Sequence, residues 1–572
     1  MRIPSAASVL SLTVVAIASL LTPDVSRAQA APPRLVVFIS VDQFRGDYIE
    51  RYGHTWTSGL RRLVDEGAWF VQAAYPYLAT VTCAGHATMS TGTFPSTHGM
   101  VSNEWYDRES GKSVQCTDDA STTIVAYGTP PATAGAAAGP VAANSLARMR
   151  TLTFADELRG QASRPPRIVG LSMKPRSAIS LAGRKADAAI WFDGSKGGWV
   201  SSSAYGDAPN PVIAAFIASH PLERERQKTW TKLLPADKYL YEDDGLAERV
   251  LAGWTNQFPH PISAEKENPG PGLYERWEIS PFADLYLAQM AIAAVDGFKM
   301  GQTPGVDFLG VSFSALDRVG HMFGPRSHEV QDTLAQLDVT LGVLLKALDQ
   351  RVGRQNYVVA LTGDHGVGAI PEQMKALGYD AGRIDARAGR AALEAALAEQ
   401  LGAGKHLTAI SGPFVYLEPG TLEKLRAKPG ALDALNAAVA AVPGWMKVIP
   451  NDLLASGAPS TDPFVEAARL SYFPGRSGDL TLVLKPFWQG GSGGATHGTP
   501  YRYDQRVPVL LMGPALKAGR YYQDASPADI APTLAAICGI TLARQDGRIL
   551  VEALTSTASA PTPVKRATAT KK

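Results

Sequence analysis

From Arg34 the chain runs Leu-Val-Val-Phe-Ile-Ser-Val before reaching a carboxylate at Asp42. An apolar run with no polar alternation is the pattern of a strand buried on both faces, as in a parallel sheet. The pattern recurs at 167–172, 308–313, 357–362 and 507–512. Between these runs, apolar residues at helical spacing over 281–294 and 330–348 predict helices. Strands alternating with helices indicate an α/β fold, with a mostly parallel central sheet and helices on both faces. Near the end, Ser526-Pro527 provides a helix cap and a first-turn proline.

Two stretches break this rhythm. Residues 187–281 are rich in Trp, Pro, Gly and Ser, and 371–490 mix a helical stretch with short strand-like pieces. Both are expected to be insertions that cap the functional edge of a single domain spanning 31–554. Residues 1–30 have the make-up of a signal peptide: Arg2, an apolar run over 6–21, and small residues at Ala28 and Ala30. The apolar run is short against the roughly 20 residues a membrane helix needs. Export with cleavage near Ala30, to the periplasm or beyond, is therefore expected, with no span in the mature form. Residues 555–572 read as a disordered basic tail.

Composition narrows the partners. The 572 residues are 45% hydrophobic and carry a net charge of +2, which suits a packed globular protein and argues against nucleic acid. Three cysteines in an exported chain permit one disulfide and one spare thiol. Cys538, inside an apolar helical pattern, is expected to be the buried thiol; spacing leaves open whether Cys83 and Cys116 pair. A monomer is the default expectation.

Ligands of parallel sheets bind beyond the carboxyl ends of the strands, and polar residues sit where these runs stop. Asp42 follows one run and Asp364-His365 another; Asp317 and His321 follow a third, four residues apart and so on one helical face. His497 lies in the loop Gly490-Gly-Ser-Gly-Gly-Ala-Thr-His497-Gly. Carboxylate with imidazole is a donor set suited to catalytic zinc. Thr82 opens Thr82-Cys-Ala-Gly-His-Ala-Thr-Met-Ser-Thr-Gly92, a short helix ended by glycine. It reads as an N-cap, and a helix start also favours an anion. In Lys174-Pro175-Arg176, proline biases Lys174 toward an extended backbone, so that two cations converge on one anion. Asn103 reads as a turn residue.

Taken in chain order, these motifs resemble the alkaline phosphatase superfamily, and specifically its Lys/Arg-type periplasmic branch of phosphate-irrepressible alkaline phosphatases with a threonine nucleophile. The resemblance runs from Val41-Asp42-Gln-Phe-Arg-Gly through Gly363-Asp-His-Gly366 to Thr496-His497-Gly. It implies a Thr82 nucleophile and two Zn²⁺ ions, one held by Asp317, His321 and His497. The other would be held by Asp42, Asp364 and His365, with Thr82 also in reach. Asn103, Lys174 and Arg176 would bind the phosphate. The implied activity is hydrolysis of phosphate monoesters through a phosphothreonine. The resemblance leaves room for an additional Ca²⁺, and the sequence offers it no Asp-x-Asp-x-Asp loop. The rival readings are a nucleotide pyrophosphatase/phosphodiesterase of the same superfamily and, from another class, an inactive metal- or phosphate-binding module. Lys174 and Arg176 speak against the first; the complete ligand set speaks against the second.

Overall fold

The computed structural model describes residues 31–128, 142–196, 198–263 and 271–555. The segments read as signal peptide and, from residue 556, as basic tail lie outside the described residues.

An eleven-stranded sheet forms the floor of the molecule. Its centre is five parallel strands: β1 (Leu35–Val41), β2 (Ile168–Ser172), β3 (Ala188–Asp193), β4 (Asp307–Phe313) and β5 (Tyr357–Thr362), in the order β5-β1-β4-β2-β3. Side chains of β1 alternate between two cores, as a period of two demands. Val37 and Ile39 pack with the helices Pro281–Gly297 and His328–Arg351, through residues such as Leu287 and Leu341. Val36 and Phe38 pack on the opposite face with Met89, Leu158 and Leu534. Helices therefore cover both faces, which is why the strands are apolar over most of their length.

Direction is less uniform than the apolar runs imply. The run at 507–512 forms a strand over Val509–Met512, and it pairs antiparallel with β5. Burial on both faces gives the same pattern whichever way a strand points. The segment from Asp187 also differs from expectation. Its first part, β3 with the antiparallel Gly198–Ser202, extends the central sheet instead of capping it. In the second segment, four strands (Leu407–Ser411, Phe414–Leu417, Trp445–Pro450 and Leu480–Leu484) make a separate small sheet with its own apolar core.

Cys83 and Cys116 form a disulfide, and Cys538 is a buried free thiol pushed up to about 12 by its burial. Ser526 caps the turn Pro527–Asp529 with its side chain, and its backbone amide donates in return to the Asp529 carboxylate, as its sequence predicts. Among the described residues no helix is long and apolar enough to cross a membrane.

Candidate active site

The sheet register builds the site. Ser172, Ser312, Ser40 and Thr362 lie in one row across β2, β4, β1 and β5. Lys174, Asp42 and Asp364 each stand two residues beyond that row in their own strand, so adjacent strand ends deliver them to one level. Next to β4 the chain enters a helix, Ala315–Phe323, which carries Asp317 and His321 one turn apart. Its first two amides, those of Ser314 and Ala315, donate to the buried Asp284 carboxylate at 3.1 and 3.2 Å. That carboxyl is pushed up to about 7 by burial.

Thr82 begins the helix Thr82–Thr91, which ends at Gly92 with φ 72°. Its hydroxyl is not the N-cap: Val81 holds that position, with extended backbone and no side-chain bond. The Thr82 oxygen is thereby free to face the cluster, where His365 Nε2 and Arg176 Nη2 each lie 3.4 Å away. Gly85 lets this helix approach the strand end, because any Cβ there would collide with the Asp364 carbonyl oxygen.

The three histidines are oriented alike. Nδ1 of His321 faces the Ala495 carbonyl at 2.8 Å, that of His365 the Gly366 carbonyl at 3.0 Å, and that of His497 the Thr80 carbonyl at 2.9 Å. Each carbonyl can only accept, so Nδ1 carries a proton and Nε2 is the atom turned toward the carboxylates. Asp42, Asp364 and His365 form one trio of converging ligand atoms, and Asp317, His365 and His497 another. His321 Nε2 stands 3.2 Å from Asp317 Oδ1. His365 is thus shared, and its ring stacks on that of His497 with centroids 3.5 Å apart.

The electrostatics call for cations. Burial, with Asp317 and Asp364 beside it, pushes Asp42 well above the usual carboxylate range. Burial opposes ionisation of Asp317 too, yet Lys174 and His321 hold it well below that range. For Asp364, His365, His86 and Lys174 outweigh burial and lower it. Burial, then His365 and His321, keeps His497 far below the ordinary imidazole value, hence neutral. The wholly buried Asp42 Oδ1 accepts no hydrogen bond. Three packed carboxylates, an orphaned oxygen and three Nε2 atoms turned toward them fit metal binding.

Lys174 reaches the cluster: its ammonium lies 2.5 Å from both Asp42 and Asp317. Arg176 arrives differently than an extended tripeptide predicts. Lys174 is extended, at φ −118° and ψ 135°, but Pro175 starts the helix Pro175–Ala182 and Arg176 belongs to its first turn. Proline is pre-organised for that position. Asn103 is more than a turn residue. Its Oδ1 accepts from the Cys83 amide at 2.8 Å, and its carbonyl accepts from the Cys116 amide at 2.9 Å.

Sequence reasoning missed two supporting residues. Gln43 holds φ at 66°; its backbone amide donates to Asp364 at 3.0 Å and its side-chain amide to Asp317 at 2.9 Å. It clamps one carboxylate from each side of the site, and Gly320 leaves room for it, since a Cβ there would strike its Oε1. His86 lies 3.0 Å from the Thr82 carbonyl, 2.9 Å from Ser312 Oγ and 3.2 Å from Asp364. Its position four residues after Thr82 is a signal that was available.

The type I phosphodiesterase / nucleotide pyrophosphatase family matches residues 36–494. Alkaline phosphatase PafA of Elizabethkingia meningoseptica is 31% identical over 90% of this chain and 93% of its own. Alkaline phosphatase PhoK of a Sphingomonas species is 32% identical over 91% of each. The PafA crystal structure superposes with a TM-score of 0.82, covering 91% of this chain and 99% of PafA. A solved PafA variant replaces a threonine, an asparagine 21 residues later, then a lysine and an arginine two apart. Thr82 and Asn103 are likewise 21 apart, and Lys174 and Arg176 two apart. The chain belongs to the type I phosphodiesterase / nucleotide pyrophosphatase family, within the alkaline phosphatase superfamily.

Proposed function

We propose that this protein is an exported alkaline phosphatase that hydrolyses phosphate monoesters with two Zn²⁺ ions and Thr82 as nucleophile. The observation that carries the proposal is the gathering of three buried aspartates and three histidines, each held at Nδ1 by a backbone carbonyl, with Thr82 Oγ1 beside His365.

Asp42, Asp364 and His365 would hold one ion, and Asp317, His321 and His497 the other. Bound zinc supplies positive charge at the attacking and leaving oxygens and brings the pKa of water toward about 7. The three aspartates and an ionised Thr82 carry four negative charges, which balance two divalent ions. Lys174 and Arg176 then add two positive charges, matching a monoester dianion in preference to a diester monoanion.

Thr82 Oγ1 attacks phosphorus and the alcohol departs from the opposite side, leaving a phosphothreonine. Water then attacks that phosphorus and releases phosphate, restoring the hydroxyl. Arg176, already beside Thr82 Oγ1, meets the phosphate oxygens through its planar fork. The Asn103 amide is fixed by the Cys83 N–H through its oxygen, which leaves its NH₂ group to donate to phosphate.

The test compares kcat/KM for p-nitrophenyl phosphate and bis-p-nitrophenyl phosphate at alkaline pH. A large monoester preference that collapses in Lys174→Ala/Arg176→Ala supports the proposal. A diester preference, or indifference to the double substitution, moves the protein to the phosphodiesterase reading.

A further inference from the structure

A cavity of about 350 Å³ lies between the small four-stranded sheet and the loop that carries His497. Its wall includes Leu482 and Leu484 from that sheet, then Phe487, Trp488 and Tyr503, and no Asp, Glu, Lys or Arg side chain lines it. Most of its polar groups are already engaged. Gln489 donates to the Ala369 carbonyl at 2.9 Å and accepts from the Thr496 amide at 2.6 Å. The Thr499 hydroxyl donates to Asp504 at 2.5 Å, and the Trp488 indole donates to Asp380 at 3.1 Å. The Tyr503 hydroxyl accepts from the Phe487 amide at 3.2 Å. A sugar or a polyphosphate entering this space would lose water and find few partners.

The aromatic wall is braced. Phe487 stacks on Tyr503 with centroids 5.3 Å apart, and Tyr501 packs behind Tyr503 at 5.5 Å. Phe487 holds φ at 61°, a backbone conformation costly for an aromatic residue. Such strain persists where surrounding structure enforces it, and it clusters at sites that bind ligands. The cavity also adjoins the reaction centre at three places: His497 itself, Val81 immediately before Thr82, and Ser102 immediately before Asn103.

We propose that this cavity receives the alcohol part of the substrate, and that the alcohols it selects are apolar and carry an aromatic ring. The proposal rests on the phosphatase reading and adds the substrate class. A pocket of this size and apolar lining suits one ring with a short linker, packed against Phe487 and Tyr503.

The test uses two esters whose alcohols ionise alike, 3-phenylpropyl phosphate and propyl phosphate, so that intrinsic reactivity cancels. The purified zinc-loaded protein should favour the phenyl ester by about ten- to a hundredfold in kcat/KM, the range typical of filling an apolar pocket. Phe487→Ala and, independently, Leu484→Ser should each reduce that ratio severalfold; thermal melting establishes that the variants are folded. If both esters turn over equally, or if both folded variants keep the full preference, the cavity is not the alcohol subsite and the phosphatase reading stands. If neither ester is hydrolysed, the phosphatase reading falls, and calorimetry with 3-phenylpropylphosphonate against propylphosphonate decides the cavity. Tighter binding of the phenyl compound upholds the subsite; equal binding overturns it.

Discussion

The two halves of the site are built from different material. Asp42, Asp364 and His365 sit at the ends of central strands, wholly buried. Asp317, His321 and His497 sit on a nine-residue helix and a loop, and the His321 side chain remains 32% exposed. Thr82 faces the buried half, through His365. Strand ends cannot shift without breaking the sheet, whereas a helix and a loop adjust more easily and meet solvent. The contrast teaches that, on the proposed mechanism, the rigid half would fix Thr82 and the adjustable half would admit the alcohol and water.

The largest effect that would sharpen this contrast is at Thr82. Thr82→Ala should lower kcat by at least about a thousandfold with an unchanged melting temperature; normal turnover in the folded variant would remove the nucleophile from the buried half. Exhaustive chelation should also abolish activity, with zinc restoring it. Comparing histidines comes next. His365→Ala should cost more activity and bind less zinc than His321→Ala, because His365 serves both trios and is buried; equal losses would erase the asymmetry.

A smaller loss is expected at the clamp between the halves. Gln43→Ala should reduce kcat roughly tenfold with little change in KM, since it orients Asp364 and Asp317 without standing beside the phosphate. A rise in KM alone would contradict that role.

The smallest effect concerns support beneath the buried half. His98 is fully buried and lowered to about 3 by burial and by Arg476. It accepts the Met100 amide at 3.0 Å through Nδ1 and so is neutral in the native fold. Unfolded, it binds a proton near its ordinary value of about 6.5. Its contribution is therefore fully present above about pH 6.5 and is lost as pH falls from there toward 3. Denaturant titrations at pH 6.5 and 4.5 should show His98→Asn losing less stability over that interval than the parent.

Much of this was legible in sequence because three of the five central strands run straight into a residue of the candidate site. Asp42, Lys174 and Asp364 stand at equivalent distances past their runs, and the Asp317–His321 spacing announces a helical face. Strand direction at Val509–Met512 was not legible, since burial on both faces erases it. The hairpin from Ala188 was short and rich in Trp and Gly, which hid its continuity with the sheet. Arg176 was misjudged locally because proline both extends the residue before it and starts the helix after it. Gln43 was silent: its role depends on a left-handed backbone and on partners hundreds of residues away.

The disulfide next to Thr82 has a consequence for the making of the protein. The two half-cystines hold Asn103 from both sides: the Cys83 amide donates to the Asn103 side-chain oxygen and the Cys116 amide to the Asn103 carbonyl. Oxidation thus ties the helix that begins at Thr82 to the residue proposed to meet the phosphate. In a thiol-rich cytosol that tie does not persist. Recombinant production there should yield chains whose specific activity rises on oxidative refolding, so the folding compartment is itself an ingredient of the enzyme.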